Sequence, residues 1–427
     1  MQNSLFSVRT DENNLKWEQC IKRESSLYER GNSIRSDFER DYTRLLHCES
    51  YRRLKHKTQV FFAPHNDHIC TRMEHVSHVA SVSTTIAKYL GLNPELTNAI
   101  AIGHDIGHAP FGHTGEDILN ELMSSRKIGR NAPKKFWHER NSLFFADYID
   151  TLSDPNGVEK NLDLTYAVRD GLVCHCGEID QQGILPRDKI IDLYDIKRPG
   201  LVQPYTWEGC VVKVSDKIAF LGRDLEDART YHILDMSSYR ELRHIVVETL
   251  GFGPSKKESS HTTNGVFRSG RAVNTTVLMN DMIVDLCEQS SVEKGLCFSE
   301  PYFKFIVELK KFCFSNIYNH WRLIEFQNYA RNVLGTIYRT LMRLAPYAQN
   351  HRLEQCLRYT PNLQKTFVDW VVKYSNYDVS RKKILRYETK EVFDVTNDES
   401  WEKCVLEYIS GMTDQYAITV FNEILSF

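Results

Sequence analysis

The spacing of apolar residues predicts helices along most of this chain. Between positions 71 and 90 apolar side chains recur at the three-to-four-residue period of an amphipathic helix. Gly91 should end this helix, because glycine is the usual residue just beyond a helix C-terminus. The Asn93–Pro94 pair has the cap and first-turn chemistry that starts a new helix, which should run to Ala101 or His104. The two segments therefore predict an antiparallel helical hairpin.

A glycine-rich sequence, GHDIGHAPFGHTGE at 103–116, interrupts the helical pattern. Its four glycines and one proline prevent a continuous helix, so we expect a turn-rich loop. Such a loop is typical of a catalytic segment. Thr114 and Asp117 have the spacing of a capping box. The next helix should accordingly begin near Gly115, with His113 just before it and Glu116 in its first turn.

Strand signals are sparse, so the predicted fold class is mostly α with a short β element. The two strand candidates are 58–63 and 210–214. The stretch 253–270 is rich in Ser, Thr, Gly and Lys, and we expect a mobile surface loop there. Helical spacing returns at 273–287, 302–344 and 402–425, the last of which is predicted as one final helix.

These patterns divide the chain into four parts. We predict an N-terminal arm at 1–40, a helical core at 41–250, a surface loop at 251–272 and a C-terminal helical region at 273–427 that packs on the core.

Composition excludes several classes of protein. The 54 Lys and Arg residues nearly balance the 56 Asp and Glu residues, so no global field favours nucleic acid or a membrane surface. The sequence has no apolar run of 18 residues and no targeting pattern at its start, so we expect a cytoplasmic protein without a membrane partner. The 11 cysteines form no CxxC pair, which favours reduced thiols over disulfides.

Histidines are the informative residues, because most of the 16 lie between positions 56 and 138. Imidazole and carboxylate groups together hold borderline divalent metals, and a mixed set with open positions suits hydrolysis. The adjacent pair His104 and Asp105 alone indicates little, since successive helical side chains diverge by about 100°. The interpretation of this pair as metal ligands is strengthened by two further motifs, TRMEH at 71–75 before it and SDK at 215–217 after it.

This order of motifs resembles the HD phosphohydrolase superfamily and, within it, the dGTPase-like deoxynucleoside triphosphate triphosphohydrolases. The resemblance implies an HD-domain helical fold, whose catalytic core is 41–250, with a C-terminal helical extension. It also implies metal-dependent hydrolysis of dNTPs, with dGTP as a candidate preferred substrate, to deoxynucleoside and inorganic triphosphate. The segments that carry it are RRLKHKTQVF at 52–61, TRMEH at 71–75, HDIGHAPFGHTGE at 104–116, SDKIAFLGRDLED at 215–227 and GMTDQYA at 411–417.

The resemblance also implies a set of metal ligands, which would bind Mn²⁺, Mg²⁺, Co²⁺ or Fe²⁺. Two neutral imidazoles and two carboxylates would leave such an ion nearly neutral and open to phosphate oxygens. The four ligands are His75, His104, Asp105 and Asp216.

Three further residues match the family's catalytic positions. His113 would act on the attacking water, with Glu116 holding its imidazole in the required tautomer. His108 lies near the α-phosphate in the family and could donate a proton to the departing 5′ oxygen. The alternative is that His108 and His113 only brace the glycine-rich loop.

Six residues match the family's substrate contacts. His138 and Lys217 would contact the triphosphate, and Arg72 matches an arginine that contacts phosphate or base in the family. Alternatively, Arg72 and Lys217 are solvated charges on a helix face. Gln59 and Asp224 would bind the 3′ hydroxyl of the sugar. Phe220 stands where relatives often have a tyrosine under the deoxyribose; it keeps the stacking surface and loses the hydroxyl. The GMTDQYA segment has no assigned chemistry and is expected to pack.

Two other functions stay open. A two-metal HD phosphodiesterase or phosphatase acting on another nucleotide would use histidines such as His138 and His175, although His175 is more simply a buried helix residue. A protein that senses nucleotides or binds single-stranded nucleic acid would use a basic patch. That patch comprises Arg126, Lys127, Arg130, Lys134, Lys135 and the 255–272 loop.

Partners follow from the same resemblance. We expect a homo-oligomer, a hexamer or tetramer, because relatives assemble and the helices near 302–344 and 402–425 have apolar faces to bury. An allosteric dNTP is a further candidate ligand.

Overall fold

The computed structural model is mostly helical, as predicted: helices make up 65% of it and the sheets are short two-stranded pairs. The basic residues Arg126, Lys127, Arg130 and Lys134, and most of the loop predicted at 251–272, lie outside the described residues. The structure describes residues 5–25, 34–62, 70–124, 135–176, 181–251, 267–268 and 272–426.

The described residues form nineteen α-helices, which we number in chain order. The first nine are α1 (Trp17–Cys20), α2 (Asp37–His47), α3 (Glu49–Arg53), α4 (Arg72–Leu90), α5 (Pro94–Gly103), α6 (Gly112–Ser124), α7 (His138–Phe144), α8 (Tyr166–Cys174) and α9 (Trp207–Thr230). The others are α10 (Met236–Leu250), α11 (Thr275–Gln289), α12 (Glu300–Cys313), α13 (Trp321–Met342), α14 (Ala345–Gln349), α15 (Leu353–Cys356), α16 (Pro361–Tyr374), α17 (Val379–Ile384), α18 (Asp398–Ser410) and α19 (Asp414–Leu425).

Short 3₁₀ and π segments connect some of these helices. The 3₁₀ turns are Phe6–Val8, Leu54–His56 and Leu193–Asp195, and the π segments are Phe145–Ile149 and Phe314–Tyr318.

The predicted hairpin of α4 and α5 is confirmed. Thr71 begins α4 with a capping box to Glu74, and Gly91 ends it at φ +82°. The Asn93 side chain accepts hydrogen bonds from the first-turn amides of α5, with Pro94 in the first position. Helix α6, by contrast, begins at Gly112, three residues before the predicted start, so His113 lies in its first turn.

Both strand predictions are wrong within the described residues. The run 210–214 lies inside α9, where it is buried on every side; an all-round apolar run cannot distinguish a buried helix from a strand. Residues 58–62 make only an isolated bridge from Thr58 to Thr71, and Phe61 is buried by packing rather than by pairing. The observed antiparallel pairs are β1 (Thr151–Ser153) with β2 (Glu159–Asn161), β3 (Gly183–Ile184) with β6 (Leu296–Cys297), and β4 (Phe267–Arg268) with β5 (Ala272–Val273).

Two long predicted helices are each divided. The 402–425 segment contains most of α18 and all of α19, which separate at Gly411. The 302–344 segment is divided by the π segment Phe314–Tyr318. In both cases the apolar period continues across the break, so periodicity did not reveal it.

Three clusters of buried apolar side chains hold together the helices that carry the candidate functional residues. Helices α2, α4, α5 and α8 share one cluster, and α9 to α12 share a second. The third combines α6 and α7 with α13, α16, α18 and α19, so the C-terminal helices pack directly on the helix that follows the glycine-rich loop. Among the described residues we find no helix with the length and apolar character needed to cross a bilayer.

Candidate active site

The four predicted metal ligands converge from three helices. His75 lies in the first turn of α4, His104 and Asp105 follow the end of α5, and Asp216 lies midway along α9. His75 Nε2 is 2.9 Å from Asp216 Oδ1, and His104 Nε2 is 3.8 Å from the same oxygen. Asp105 joins them, with Oδ1 3.4 Å from His104 Nε2. Residues up to 141 positions apart thus surround one small volume.

The donor set fits a divalent cation. His104 donates its Nδ1 proton to the Ala101 carbonyl at 2.7 Å, so its Nε2 carries the lone pair. That Nε2 is buried and has no hydrogen-bond partner, which is costly unless a cation takes the lone pair. One ligand atom from each of His75, His104 and Asp216 lies within 4.8 Å of the other two. Imidazole and carboxylate donors at this separation suit Mn²⁺, Fe²⁺ and similar ions.

The two aspartates of this site are held ionised. Burial opposes ionisation of Asp105, but His104, His108 and Arg72 outweigh it and lower the pKa of Asp105 well below its ordinary value. Burial likewise opposes ionisation of Asp216, whose pKa is lowered to about 2 chiefly by the hydrogen bond to His75. The site therefore presents negative charge to an incoming cation across the physiological pH range.

Arg72 is turned toward this site. Its side chain is 2% exposed, with one guanidinium nitrogen 2.9 Å from Asp105 Oδ2 and 3.0 Å from His108 Nε2. Its Nε donates to the Thr58 carbonyl at 3.2 Å. The guanidinium is therefore engaged by a candidate metal ligand, and its expected contact with phosphate or base stays a prediction.

His108 is buried between charged groups. Its Nε2 is 3.2 Å from Asp105 Oδ1, and its Nδ1 has no hydrogen-bond partner. Burial, with Arg72 and His138 adding to it, lowers the pKa of His108 well below its ordinary value. The neutral imidazole is favoured here, and the proton donation expected of His108 stays a prediction.

The structure pairs Glu116 with His138 more closely than with His113. His138 Nδ1 lies 3.0 Å from Glu116 Oε2, whereas His113 Nδ1 lies 3.9 Å from it. The His113 side chain is 58% exposed, and the His138 ring stacks on that of His108 with centroids 3.8 Å apart. Glu116 thus stands between the two imidazoles, which places His113 on the solvent side.

Charge at His138 follows from its carboxylate neighbours. Burial alone would lower the pKa of His138, but Glu139 and Glu116 raise it to about 10. Burial also opposes ionisation of Glu116, whose pKa is nevertheless lowered by His138. These groups form an ion pair beside the candidate metal ligands.

One face of α9 connects the metal ligands to the predicted sugar contacts. Asp216, Phe220 and Asp224 are spaced four residues apart, so they share a face that extends about 12 Å along the axis, and Lys217 lies at its edge. At its far end Asp224 is buried; its Oδ2 accepts a hydrogen bond from the Tyr318 hydroxyl at 2.5 Å and its Oδ1 has no partner. Burial raises the pKa of Asp224 to about 7.

Gln59 offers a similar group, since its buried Oε1 has no hydrogen-bond partner. Gln59 and Asp224, the predicted sugar contacts, therefore each have a buried side-chain oxygen that accepts no hydrogen bond within the protein. Sequence reasoning missed Tyr318, because no motif marks a tyrosine in a π segment almost 100 residues away.

Comparisons with known proteins agree with this geometry. Residues 72–220 match the HD domain and residues 363–423 match the phosphohydrolase-associated domain. A deoxyguanosinetriphosphate triphosphohydrolase-like protein of Desulfatibacillum aliphaticivorans is 33% identical, and the alignment covers 77% of this chain and 80% of the relative. The chain belongs to the deoxyguanosinetriphosphate triphosphohydrolase-like family.

Other family members align over most of their length. The protein of the same name from Clostridium tetani is 30% identical over 93% of this chain and 88% of its own. That of Caldanaerobacter subterraneus subsp. tengcongensis is 29% identical over 92% of this chain and 85% of its own. The HD-domain match spans all four candidate metal ligands and agrees with divalent metal binding.

In this family member, the phosphohydrolase-associated region reaches into the HD site. The Asp414 carboxylate accepts hydrogen bonds from the Phe111 amide at 2.8 Å and the Thr58 amide at 2.9 Å. Phe111 has φ +64°, an uncommon conformation for a residue with a side chain. The packing role expected for GMTDQYA is therefore incomplete: Asp414 fixes both the loop before His113 and the residue before Gln59.

A buried lysine supports the same loop. Lys57, 2% exposed, donates from Nζ to the carbonyls of His108 and Ser410. Burial, reinforced by Arg53, lowers the pKa of Lys57 to about 7. No local sequence signal marks Lys57 or Asp414, because their partners are hydrogen-bonding groups of the backbone far away in the chain.

Helix α7 closes the other side of the loop. Ser142 Oγ donates to the His104 carbonyl at 2.6 Å and accepts from the Gly107 amide at 3.0 Å. Asn141 Nδ2 donates to the Gly107 carbonyl at 2.7 Å. A Cβ at position 107 would lie 2.0 Å from the Ser142 amide nitrogen, so only glycine fits this approach.

Proposed function

We propose that this protein is a metal-dependent dNTP triphosphohydrolase that releases a deoxynucleoside and inorganic triphosphate. The observation that carries the proposal is the face of α9. It places a candidate metal ligand, Asp216, about 12 Å along the axis from Asp224, whose unpartnered carboxylate oxygen can accept a hydrogen bond from a sugar hydroxyl. A single nucleotide can bridge these two ends.

His75, His104, Asp105 and Asp216 would hold the cation, which when bound neutralises and polarises the α-phosphate. His113, on the solvent side, would position the attacking water and accept its proton. Water then adds to the α-phosphorus and the bond to the 5′ oxygen breaks. That oxygen takes up a proton from solvent, and His113 returns to solvent the proton that it accepted from the water. Lys217, next to Asp216 on α9, would balance charge on the phosphates.

Sugar choice would come from the far end of the α9 face. Gln59 and Asp224 would bind the 3′ hydroxyl, and the Phe220 ring would occupy the space that a 2′ hydroxyl needs. An unsatisfied buried hydroxyl costs about 1 to 3 kcal/mol, which corresponds to roughly 5- to 150-fold in favour of deoxynucleotides. The names of the relatives make dGTP the first substrate to test.

The test is incubation with each dNTP and rNTP in the presence of Mn²⁺, Mg²⁺ or Co²⁺, with the products separated by ion-exchange chromatography. We expect at least one dNTP to give deoxynucleoside and triphosphate in equal amounts, and GTP to react much more slowly than dGTP. Pyrophosphate with a monophosphate would contradict the cleavage position. Failure of every dNTP, alone and in mixtures, would contradict the proposed activity.

A further inference from the structure

Helix α17 and the turn that follows it carry a concentration of positive charge on a nearly neutral chain. Five of the twelve residues 379–390 are basic and one is acidic, whereas the whole chain has a net charge of −2. Charges of opposite sign elsewhere cancel this excess in the overall balance, so the composition does not reveal it. The five basic residues are Arg381, Lys382, Lys383, Arg386 and Lys390.

The same segment exposes aliphatic side chains. Ile384 is 79% exposed, Val379 is 48% exposed and Leu385 is 41% exposed. Single exposed aliphatic residues are ordinary on a protein surface, but three within the seven residues 379–385 form a group. Residues 379–390, which we call the α17 tip, therefore combine positive charge with exposed apolar surface.

Hydrogen bonds hold the α17 tip against the rest of the protein. Arg386 follows α17 at φ +57°, an uncommon conformation for a residue with a side chain. Its carbonyl accepts a hydrogen bond from the Glu159 amide at 3.1 Å, and the Glu388 amide donates to the Glu159 carbonyl at 3.1 Å. The Arg386 guanidinium donates to the Asn156 carbonyl at 3.2 Å. The turn that presents the aliphatic side chains to solvent is thus tied to β2 and the turn before it.

Helix α15 lies beside the α17 tip and adds positive charge. Glu354 of α15 pairs with Arg381 at 2.8 Å, which joins the two helices. Arg352 and Arg358 flank α15 and are exposed. The Arg358 guanidinium lies 4.4 Å from the centroid of the Tyr359 ring, and Tyr359 is itself exposed. The basic surface therefore extends from α17 across α15.

Four of these cations have no carboxylate partner. Among the described residues, no carboxylate oxygen lies within 4.0 Å of a side-chain nitrogen of Arg352, Arg358, Lys383 or Arg386. Their charge is therefore open to anions outside the protein.

An anionic lipid surface fits this combination of side chains. Anionic headgroups attract basic residues, and each basic residue near the surface strengthens binding about fivefold. Aliphatic side chains enter the boundary between headgroups and acyl chains, where a tyrosine ring is also stable. Single-stranded nucleic acid would use the cations and could stack on Tyr359, but it would leave Val379, Ile384 and Leu385 in water. The exposed aliphatic residues therefore favour lipid.

We propose that the α17 tip is a peripheral membrane-binding surface that docks this protein on anionic lipid. The sequence-based expectation of no membrane partner rests on the absence of a long apolar run and of a targeting pattern. Peripheral docking requires neither, because a small apolar surface and several basic residues suffice. The proposal does not depend on the nucleotide that the active site accepts.

The test measures binding of the full-length chain to lipid vesicles by flotation through a sucrose gradient. The probe is vesicles of phosphatidylglycerol and phosphatidylcholine in equal parts, and the comparison is vesicles of phosphatidylcholine alone. We expect binding to the anionic vesicles only, and weaker binding at high salt. The double variant Ile384→Ser with Leu385→Ser should bind about tenfold more weakly or worse, because it removes the inserted apolar surface. Lys383→Gln should bind about fivefold more weakly.

The matched control is Val284→Ser with Lys304→Gln, which changes an exposed aliphatic residue on α11 and an exposed lysine on α12. It should bind the anionic vesicles like the wild type. All substitutions are at exposed positions, and thermal melting followed by circular dichroism checks that each variant is folded.

Three results with vesicles would overturn the proposal: no binding by the wild type, equal binding to phosphatidylcholine alone, or undiminished binding by the folded serine double variant. Two further measurements identify another occupant. If the wild type ignores vesicles but binds oligodeoxythymidylate, and Lys383→Gln weakens that binding, the surface belongs to nucleic acid. If the serine double variant instead lowers the mass of the particle in solution, the surface is a contact between copies of the chain.

Discussion

The four candidate metal ligands and the loop that carries His108 and His113 are neighbours, but different parts of the chain support them. The ligands lie on α4, α9 and the end of α5, all inside the HD-domain match at 72–220. The loop is held at one end by Ser142 and Asn141 and at the other by Lys57 and Asp414. Asp414 belongs to the phosphohydrolase-associated region, 303 residues from the loop amide that it binds.

This difference indicates that metal binding and the positioning of the loop depend on separate parts of the chain. Helix packing sets the positions of His75 and Asp216, because regular helices fix the direction of each side chain, and His104 and Asp105 follow directly from the end of α5. The loop has uncommon backbone angles at Phe111 and needs outside hydrogen bonds to keep them. Changes to the ligands should therefore remove metal, whereas changes to the outside supports should spare metal and slow the reaction.

The largest effect is expected from Asp216→Asn combined with His104→Ala. His104→Ala removes a ligand nitrogen and Asp216→Asn removes the negative charge of a ligand carboxylate. Neither change touches the pair of Arg72 and Asp105, so the fold should persist. Metal analysis should show that the divalent ion held by the four ligands is lost. Hydrolysis of dNTPs should fall by about 10³-fold or more, since a metal contributes several kcal/mol to stabilising the transition state. His78→Ala, on an exposed face of α4, is the matched control and should keep full metal. Undiminished metal content in the double variant would exclude this ligand set.

His113→Ala should separate chemistry from metal binding. The side chain is largely exposed and lies outside the ligand set, so the metal content should stay at the wild-type value. Turnover should fall by about 10² to 10⁴, the usual cost of losing a general acid or base. Single-turnover rates and metal analysis on the same sample provide the measurement. If metal is lost in proportion to turnover, His113 belongs with the ligands rather than with the loop.

These two regions also differ in how far the sequence predicted them. The periodicity and the caps of α4 and α5 were enough to predict the helices that carry His75 and His104, because short-range patterns specify helices. The ligand set itself came from the resemblance to the HD superfamily and not from spacing. That Glu116 lies closer to His138 than to His113 could not be predicted, since residues 125–134 intervene in the sequence and tertiary contacts decide the distances. Lys57 and Asp414 were missed because a side chain bound to backbone amides and carbonyls leaves no local pattern.

Asp414→Asn tests the outside support directly. An amide offers one acceptor oxygen in place of two, so the amide of Phe111 or of Thr58 loses its partner. We expect the free energy of unfolding to drop by about 1.5 to 3 kcal/mol. We also expect kcat to fall about tenfold or more, because small displacements of catalytic groups are costly. Metal content should not change.

The control for Asp414→Asn is Asp398→Asn, an exposed first-turn aspartate of α18 in the same region. It should lose at most the small contribution of a helix dipole, about 0.3 to 1 kcal/mol, and keep its kcat. Equal loss of kcat in both variants would show that Asp414 has no special relation to the loop.

Lys57 should affect stability alone and not the reaction rate, through a dependence of stability on pH. In the unfolded chain its pKa is the ordinary 10.5, whereas in the folded protein burial lowers the pKa to about 7. Between these values the unfolded state binds more protons, so the free energy of unfolding rises with pH by up to about 1.4 kcal/mol per unit. Below pH 7 both states are protonated and Lys57 adds no slope.

Urea denaturation from pH 7 to 9 measures this slope, and comparison with Lys57→Met isolates it from other titrating groups. The difference in free energy of unfolding between the wild type and Lys57→Met should shift in favour of the wild type as the pH rises. Lys55→Met, which changes an exposed residue of the 3₁₀ turn just before Lys57, should follow the wild type. Parallel curves for the wild type and Lys57→Met would mean that Lys57 stays charged throughout, in which case its two carbonyl partners hold the ammonium more strongly than burial opposes it.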